Sequence, residues 1–281
     1  MKRHAVDTAR IAALLEPFLE QPLPSSTLDK ISTYIDLLLR WNARINLTAI
    51  RHPEEIVTRH FGESFFVARH LFPKSVADLS SSCHPERSQA KREAIGSAKS
   101  KACPELAEGD PYPSTAPRVL DIGSGAGFPA LPLKLWAPHI HLTLIESNNK
   151  KAAFLREVAR ALTLTNINVI IDRAEVLAAR SDFPRAEVVT LRAVEHFETI
   201  LPQAVTLLAP NATLALLIGA AQIPHLATLP TMKWRPPIPI PQSHTRVLSI
   251  GVHEQSGTQY QQQPCKVTFE TNYKLEIGGR W

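Results

Sequence analysis

Cysteine is scarce in this 281-residue chain, and long apolar runs are missing altogether. The three cysteines are Cys83, Cys103 and Cys265. An odd count with no C-x-x-C pair argues against a disulfide framework or a zinc knuckle. Cys83 stands beside His84 but no second close ligand pair follows, so no metal site is expected. No stretch approaches the roughly 20 apolar residues that a bilayer span requires. Met1-Lys2-Arg3-His4 is followed by mixed residues and an acid, not by the apolar core of an export signal. The expectation is a cytoplasmic protein that avoids membranes. Asn46-Leu47-Thr48 and Asn211-Ala212-Thr213 match glycosylation acceptors, but without an export signal they are chance matches. A strong excess of one charge is also lacking: the formal charge is +5 with a pI near 9.2. That fits a phosphate-rich partner without demanding one.

A hydrophobic fraction of 44% with 20% charged residues is that of a globular chain. Its length allows one large core, or one core with a small accessory unit. Residues 1–79 read as a helical cap. Ser26-Thr27-Leu28-Asp29 resembles a capping box, after which Leu28, Ile31, Ile35 and Leu38 recur at helical spacing. A second helix is expected from Pro53, with Glu54 and Glu55 in its first turn where the helix dipole favours acids. It carries Ile56, His60, Phe65 and Ala68 onward to Leu71.

Residues 80–117 are rich in Ser, Ala, Pro and alternating charges and poor in large apolar residues. Such a segment cannot offset the entropy of ordering, so a disordered insertion is expected. From Arg118 strands and helices alternate. Val119–Ile122, His141–Glu146, Ile167–Ile171, Glu187–Leu191 and Thr213–Ile218 read as strands, and Lys150–Leu162 as a helix with Phe154, Leu155, Val158 and Leu162 on one side. This order implies an α/β core over 118–252, a mostly parallel sheet with helices on both faces. Trp234–Ile240 and Val247–Val252 would close it to seven strands, with Pro236, Pro237 and Pro239 confining the former to an edge. The tail, 253–281, has no assigned role.

The densest local signal is Asp121-Ile122-Gly123-Ser124-Gly125-Ala126-Gly127-Phe128, which leaves a strand and opens a helix. Gly123, Gly125 and Gly127 let the backbone turn sharply and approach a ligand that a Cβ would block. Asp121, at the strand end, can hold a ligand's ammonium group or cap the turn. Glu146 ends the next strand about 20 residues on, where an acid accepts bonds from ribose hydroxyls. Dinucleotides and sulfonium nucleosides both use such an acid, so Glu146 points to a nucleoside without choosing between them. Asp172-Arg173-Ala174-Glu175 and Arg192 fall on the same carboxyl edge of the sheet, where open α/β sheets bind ligands.

Taken in order, Trp41-Asn42-Ala43-Arg44-Ile45-Asn46-Leu47-Thr48, Arg59-His60, the glycine segment with Pro129 and Leu131-Pro132-Leu133, Phe154-Leu155, Asp172-Arg173-Ala174-Glu175 and Arg192-Ala193 resemble the RsmG (GidB) family of small-subunit ribosomal RNA methyltransferases. The resemblance covers roughly residues 28–79 and 118–252, and the Trp-Asn to Asn-Leu-Thr segment is its specific part. It implies a Rossmann-like class I methyltransferase. Such an enzyme would transfer a methyl group from S-adenosyl-L-methionine to N7 of a guanine in 16S rRNA, within the small ribosomal subunit and as a monomer. The family's cofactor contacts fall on Gly123, Phe128, Glu146, Ser147, Asn148, Ala174, Glu175 and Arg192. The chain departs from the family pattern in having Glu63-Ser64 for Asp-Ser, Ile218 for a lysine, and the insertion.

Guanine N7 carries a free lone pair and no proton, so methyl transfer to it needs no general base, and no catalytic side chain is expected. In-line alignment supplies the rate, where orientation can contribute about 7–11 kcal/mol. N7 is poorly reached in the deep groove of A-form RNA, so an unstacked base is the expected target. Arg40, Arg44, Arg51 and Arg59 on the cap are candidates for phosphate contacts. Three other readings stay open on the residues alone: an NAD-dependent dehydrogenase, a non-catalytic rRNA-binding or ribosome-assembly protein, and a small-molecule methyltransferase.

Overall fold

A computed structural model describes residues 5–73, 116–192 and 197–254. All three cysteines, nearly all of the segment 80–117 and nearly all of the tail lie outside the described residues, and so do the expectations made for them.

The amino-terminal part holds α1 (Thr8–Leu15) and α2 (Ser25–Asn42). Next come α3 (Pro53–Ile56), a π-helical stretch (Val57–Gly62) and α4 (Glu63–Leu71), which follow one another without a break. The expected capping box does not form. Helix α2 starts at Ser25 with Pro24 in the cap position and no side-chain cap. Ser26 is therefore already inside the first turn, and the amides of Thr27 and Leu28 bond to the Pro24 carbonyl instead.

The sheet contains β1 (Arg118–Ile122), β2 (His141–Ile145), β3 (Ile167–Ile170), β4 (Ala186–Arg192), β5 (Leu208–Gly219), β6 (Met232–Trp234), β7 (Ile238–Pro239) and β8 (Arg246–His253). Its order is β3-β2-β1-β4-β5-β8-β6, with β7 also paired to β8. Strands β1 to β5 run parallel, while β8 is antiparallel to β5, β6 and β7. The expected seven strands are the seven on this path; two-residue β7 is an eighth. The single closing strand expected over 234–240 is split into β6 and β7. Pro236 and Pro237 between them have no N–H to donate to a ladder.

Helices α5 (Ala130–Trp136) and α6 (Asn149–Ala161) follow β1 and β2, and α7 (Ala174–Ala179) and α8 (Phe197–Thr206) follow β3 and β4. A 3-10 segment, Ala220–Thr228, follows β5. The pleat sends alternate strand residues to opposite faces, and two apolar layers result. Val119, Leu142, Leu144 and Ala215 pack with Ile31, Ile35, Phe61, Phe65, Leu131 and Phe154 on one face. Leu120, Ile122, Val189, Leu191 and Leu216 pack with Leu177, Leu201 and Ala204 on the other. The amino-terminal helices therefore share a continuous core with the sheet. They cover one of its faces and do not stand apart from it.

The Trp-Asn to Asn-Leu-Thr segment is an architectural clamp. Buried Asn42 accepts bonds from the amides of Leu47 (2.9 Å) and Thr48 (3.1 Å) and donates to the Thr48 carbonyl (3.0 Å). This satisfies the backbone of the turn that leaves α2. The Trp41 indole N–H bonds Glu157 of α6 at 3.1 Å, fastening the end of α2 to the sheet layer.

Candidate functional site

Strand order reverses beside β1, which has β2 on one side and β4 on the other. Ligands of open α/β sheets bind at such a switch point, outside the carboxyl ends of the strands. The loop that follows β1 has Gly123, Gly125 and Gly127 at φ of 67°, 54° and 85°, a region L side chains rarely occupy. The three glycines are not equivalent. A Cβ on Gly125 would meet nothing nearer than 3.7 Å, whereas one on Gly127 would lie 2.4 Å from the Tyr34 hydroxyl. Gly127 thus serves packing against α2, while Gly125 keeps the loop open.

Glu146 is buried and joins this loop to β2. Its Oε2 accepts from the Gly125 amide and its Oε1 from the Asn148 amide, each at 2.8 Å. A carboxylate has about four acceptor positions, so lone pairs remain for ribose hydroxyls. Asn148 in turn caps α6, accepting from the amides of Lys150 and Lys151. Its side chain is committed to the helix start.

A cleft of about 420 Å³ opens at this edge, and its lining includes Gly123, Glu146, Ser147, Arg173, Ala174 and Glu175. Five of the expected contacts, Gly123, Glu146, Ser147, Ala174 and Glu175, are thereby brought together. Asp121, Gly125, Gly127, Phe128, Asn148 and Arg192 lie outside the lining. A larger cavity of about 870 Å³ opens at the opposite, amino edge among Pro117, Arg118, His141, Asn166 and Glu187. It contains none of the expected site residues.

Asp121 faces the layer covered by the amino-terminal helices. Its Oδ1 accepts from Thr190 Oγ1 at 2.6 Å, and its Oδ2 is buried with no partner among the described residues. Burial pushes its carboxyl up to about 6, against the pull of the Thr190 hydrogen bond. An orphaned buried carboxylate oxygen is costly unless a donor reaches it. A ligand ammonium would be such a donor, and the residues present fit S-adenosylmethionine on this count and in the ribose position of Glu146.

The Phe128 ring stacks on two others, 5.3 Å from Tyr34 at 7° and 4.6 Å from His60 at 14°. These contacts commit its ring to packing with the amino-terminal helices. Burial holds the His60 imidazole well below its ordinary range, and Arg192, Arg59 and Arg246 push it the same way. It is a neutral packing group, 2.8 Å from the Thr48 hydroxyl through Nε2.

Arg192, at the end of β4, is buried. It donates to the Arg59 carbonyl at 2.5 Å and to Glu63 at 3.0 Å. Burial brings its guanidinium down to about 10, opposed by Glu63. Two partners in this arrangement were not among the expected site residues: the buried Glu63 carboxylate on α4, noted in the sequence only as a departure from the family's Asp-Ser, and Arg246 at the start of β8, which also pairs with Glu63. Arg59 belongs to this group, whereas Arg40 and Arg44 are exposed at the end of α2 and just after it, and Arg51 is exposed just before α3. The four arginines therefore do not form one surface cluster of equals. Ile218 is buried in the opposite apolar layer. In β5 its neighbours Leu217 and Gly219 pair with Arg192 and Arg246, so Ile218 points away from the arginines. Among the described residues there is no cluster of His, Cys, Asp and Glu fit for a metal, and no helix long and apolar enough to cross a membrane.

The fold and the site define a nucleoside-binding α/β protein of the class I methyltransferase type. The profile of the family described as rRNA small subunit methyltransferase G matches residues 27–82 and 106–232. Similar proteins carrying that name include one from Xylella fastidiosa (strain 9a5c), 34% identical over 70% of this chain and 71% of the relative. One from Xanthomonas axonopodis pv. citri is 30% identical over 80% of this chain and 87% of the relative, and one from Bacillus subtilis is 29% identical over 69% and 65%. The chain belongs to the rRNA small subunit methyltransferase G family, and its cofactor is S-adenosylmethionine. That membership decides against the dehydrogenase reading, which the glycine loop and Glu146 alone left open. The matched range omits 83–105, a narrower gap than the insertion expected over 80–117, and ends at 232, short of β8.

Proposed function

We propose that this protein methylates N7 of a guanine in 16S rRNA, acting in the cytoplasm on the small ribosomal subunit or its precursor. The observation that carries this reading is the bond between Glu146 and the Gly125 amide beside the carboxyl-edge cleft, in a chain of this family.

S-adenosylmethionine supplies an electrophilic methyl group when bound. Everything else is work for the chain's own residues. Glu146 would accept ribose hydroxyls while holding the glycine loop in shape. Asp121 Oδ2 would take the ammonium. Ser147, Ala174 and Glu175, which line the cleft, would border the base. A lone-pair nucleophile needs no proton removed before transfer, which fits a neutral, packed His60 and an Asp121 enclosed beneath the cap. Alignment of the acceptor with the methyl group then carries the rate.

The test is to incubate unmethylated small subunits with labelled cofactor and map any methylated base by mass spectrometry. Label on a guanine that blocks N7 chemistry is expected. Cofactor binding without transfer to subunits or free rRNA would overturn the reading.

A further inference from the structure

Three guanidinium groups converge on one buried carboxylate where the amino-terminal helices meet the carboxyl edge of the sheet. Glu63, 2% exposed, lies 3.0 Å from Arg192 and 3.8 Å from Arg59, and pairs with Arg246. The three arginines come from three elements: the π-helical stretch, the end of β4 and the start of β8. Arginines carry about five N–H donors each and a carboxylate about four acceptor positions, so Glu63 cannot satisfy them all. Arg192 Nη1 and Arg59 Nε are buried without an acceptor among the described residues. The Arg192 side chain is itself only 9% exposed. Two further carboxylates act on the group: Glu55, exposed and 3.3 Å from Arg59, and Asp121, whose charge reaches Arg192 through space.

The Arg59 carbonyl accepts from Arg192, and the Ser243 hydroxyl from Arg246 Nε at 3.4 Å. Even with these acceptors the three guanidinium groups bring more donors than the described residues accept, and such a cluster suits an oxyanion. The fixed fork of arginine matches the oxygens of phosphate in pairs. Exposure is graded across the cluster: Arg192 is sealed, Arg246 is 21% exposed and Arg59 is 43% exposed. The open side therefore presents Arg59 and Arg246 to solvent, with Arg192 and Glu63 behind them as the rigid base. Arg246 pairs across the sheet with Gly219, and Arg192 with Leu217, so both stand on one face at the edge that holds the cofactor cleft.

Resting on the RNA reading above, we infer that Arg59 and Arg246, held by Glu63, form a phosphodiester site that seats one phosphate of the RNA strand beside the cofactor cleft. Glu63 is the positioning residue of this site, and the phosphate takes the outward donors of Arg59 and Arg246 beyond those that Glu63, Glu55 and the Ser243 hydroxyl accept.

The experiment uses the full chain, a 16S rRNA transcript and a series of salt concentrations. Wild type, Arg246→Gln, Arg246→Lys and Arg59→Gln are compared for RNA affinity, for the slope of log affinity against log salt, and for S-adenosylmethionine affinity by calorimetry. Losing one phosphate contact lowers the slope by about 0.7 to 0.9. Arg246→Gln should show that drop, with RNA binding about tenfold weaker and cofactor affinity within about twofold of wild type. Arg246→Lys keeps the charge and should recover the slope but not the full affinity, because the fork is lost. If Arg246→Gln fails to fold, Arg59→Gln carries the same expectation from a more exposed position. An unchanged slope in both glutamine variants overturns the site. So does a loss of cofactor affinity with the slope intact, which would assign the cluster to the cofactor's carboxylate. Wild type that transfers no methyl group but keeps its slope would refute the enzyme and leave the phosphate site standing.

Discussion

The carboxylate of Glu146 and the amide of Gly125 are 2.8 Å apart, and through that bond the end of β2 holds the loop that leaves β1. One side chain thus shapes the loop and faces the cleft. Glu146→Ala removes both functions. Cofactor affinity should fall ~10- to 100-fold, the equivalent of roughly 1.5–3 kcal/mol for hydrogen bonds to a charged group. Calorimetry with S-adenosylmethionine checks this, and an unaltered affinity would remove Glu146 from the site.

Gly127 answers to Tyr34 more than to a ligand. Tyr34 Oη donates to the Ala126 carbonyl at 2.5 Å, and a Cβ on Gly127 would sit 2.4 Å from that oxygen. Gly127→Ala should therefore lower stability by about 1–3 kcal/mol, from overpacking together with a φ of 85°. Tyr34→Phe removes the nearer of two obstacles; the other, Leu131 Cδ1 at 2.6 Å, stays. Urea unfolding of the double variant should show less destabilisation than the two single changes added together. Strict additivity would show that the hydroxyl is not the obstacle.

Asp121 links stability to pH. Its folded carboxyl titrates at about 6, above the ordinary value of 3.8. The fold thus favours the protonated acid, and that contribution is complete below pH 3.8 and lost as pH rises through about 6. A shift of this size corresponds to about 3 kcal/mol. Asp121→Asn keeps an oxygen for Thr190 and cannot ionise. Unfolding measured from pH 4 to pH 7 should show less loss of stability on raising the pH, and a variant more stable than wild type at pH 7. Its affinity for S-adenosylmethionine should nevertheless fall. A variant that follows the wild-type pH curve would contradict the assignment.

Glu63 holds three arginines from three elements. Removing one partner of a buried ion pair typically costs about 3–5 kcal/mol. Glu63→Ala should therefore lower the melting temperature sharply, and Glu63→Asp, which keeps the charge on a shorter stem, much less. Thermal unfolding of the two side by side makes the comparison. Equal, small effects would mean that the cluster contributes little to joining the helices and the sheet.

Much of this molecule was legible in its residues. The order of β1 to β5 with their helices follows from short apolar runs alternating with helical periodicity. The spacing of the glycine loop and Glu146 pointed to the carboxyl-edge cleft where the structure joins them. What misled was local: the sequence Ser26–Asp29 has the composition of a capping box, yet the chain turns helical two residues sooner, behind Pro24. The partition of function among like residues was also hidden. Phe128 sits in the motif but stacks its ring on Tyr34 and His60, and Asn42 in the family segment is spent on its own turn.

Periodicity and glycine spacing are properties of neighbours along the chain, and they determined the α/β class, the loop and the acid at the end of β2. The cluster of Arg59, Glu63, Arg192 and Arg246 joins residues up to 187 positions apart in sequence. Only the packing of the amino-terminal helices onto the sheet and the antiparallel return of β8 bring them together. No local pattern marks such a site, because burial and unmet hydrogen bonds exist only once distant elements have closed around one carboxylate.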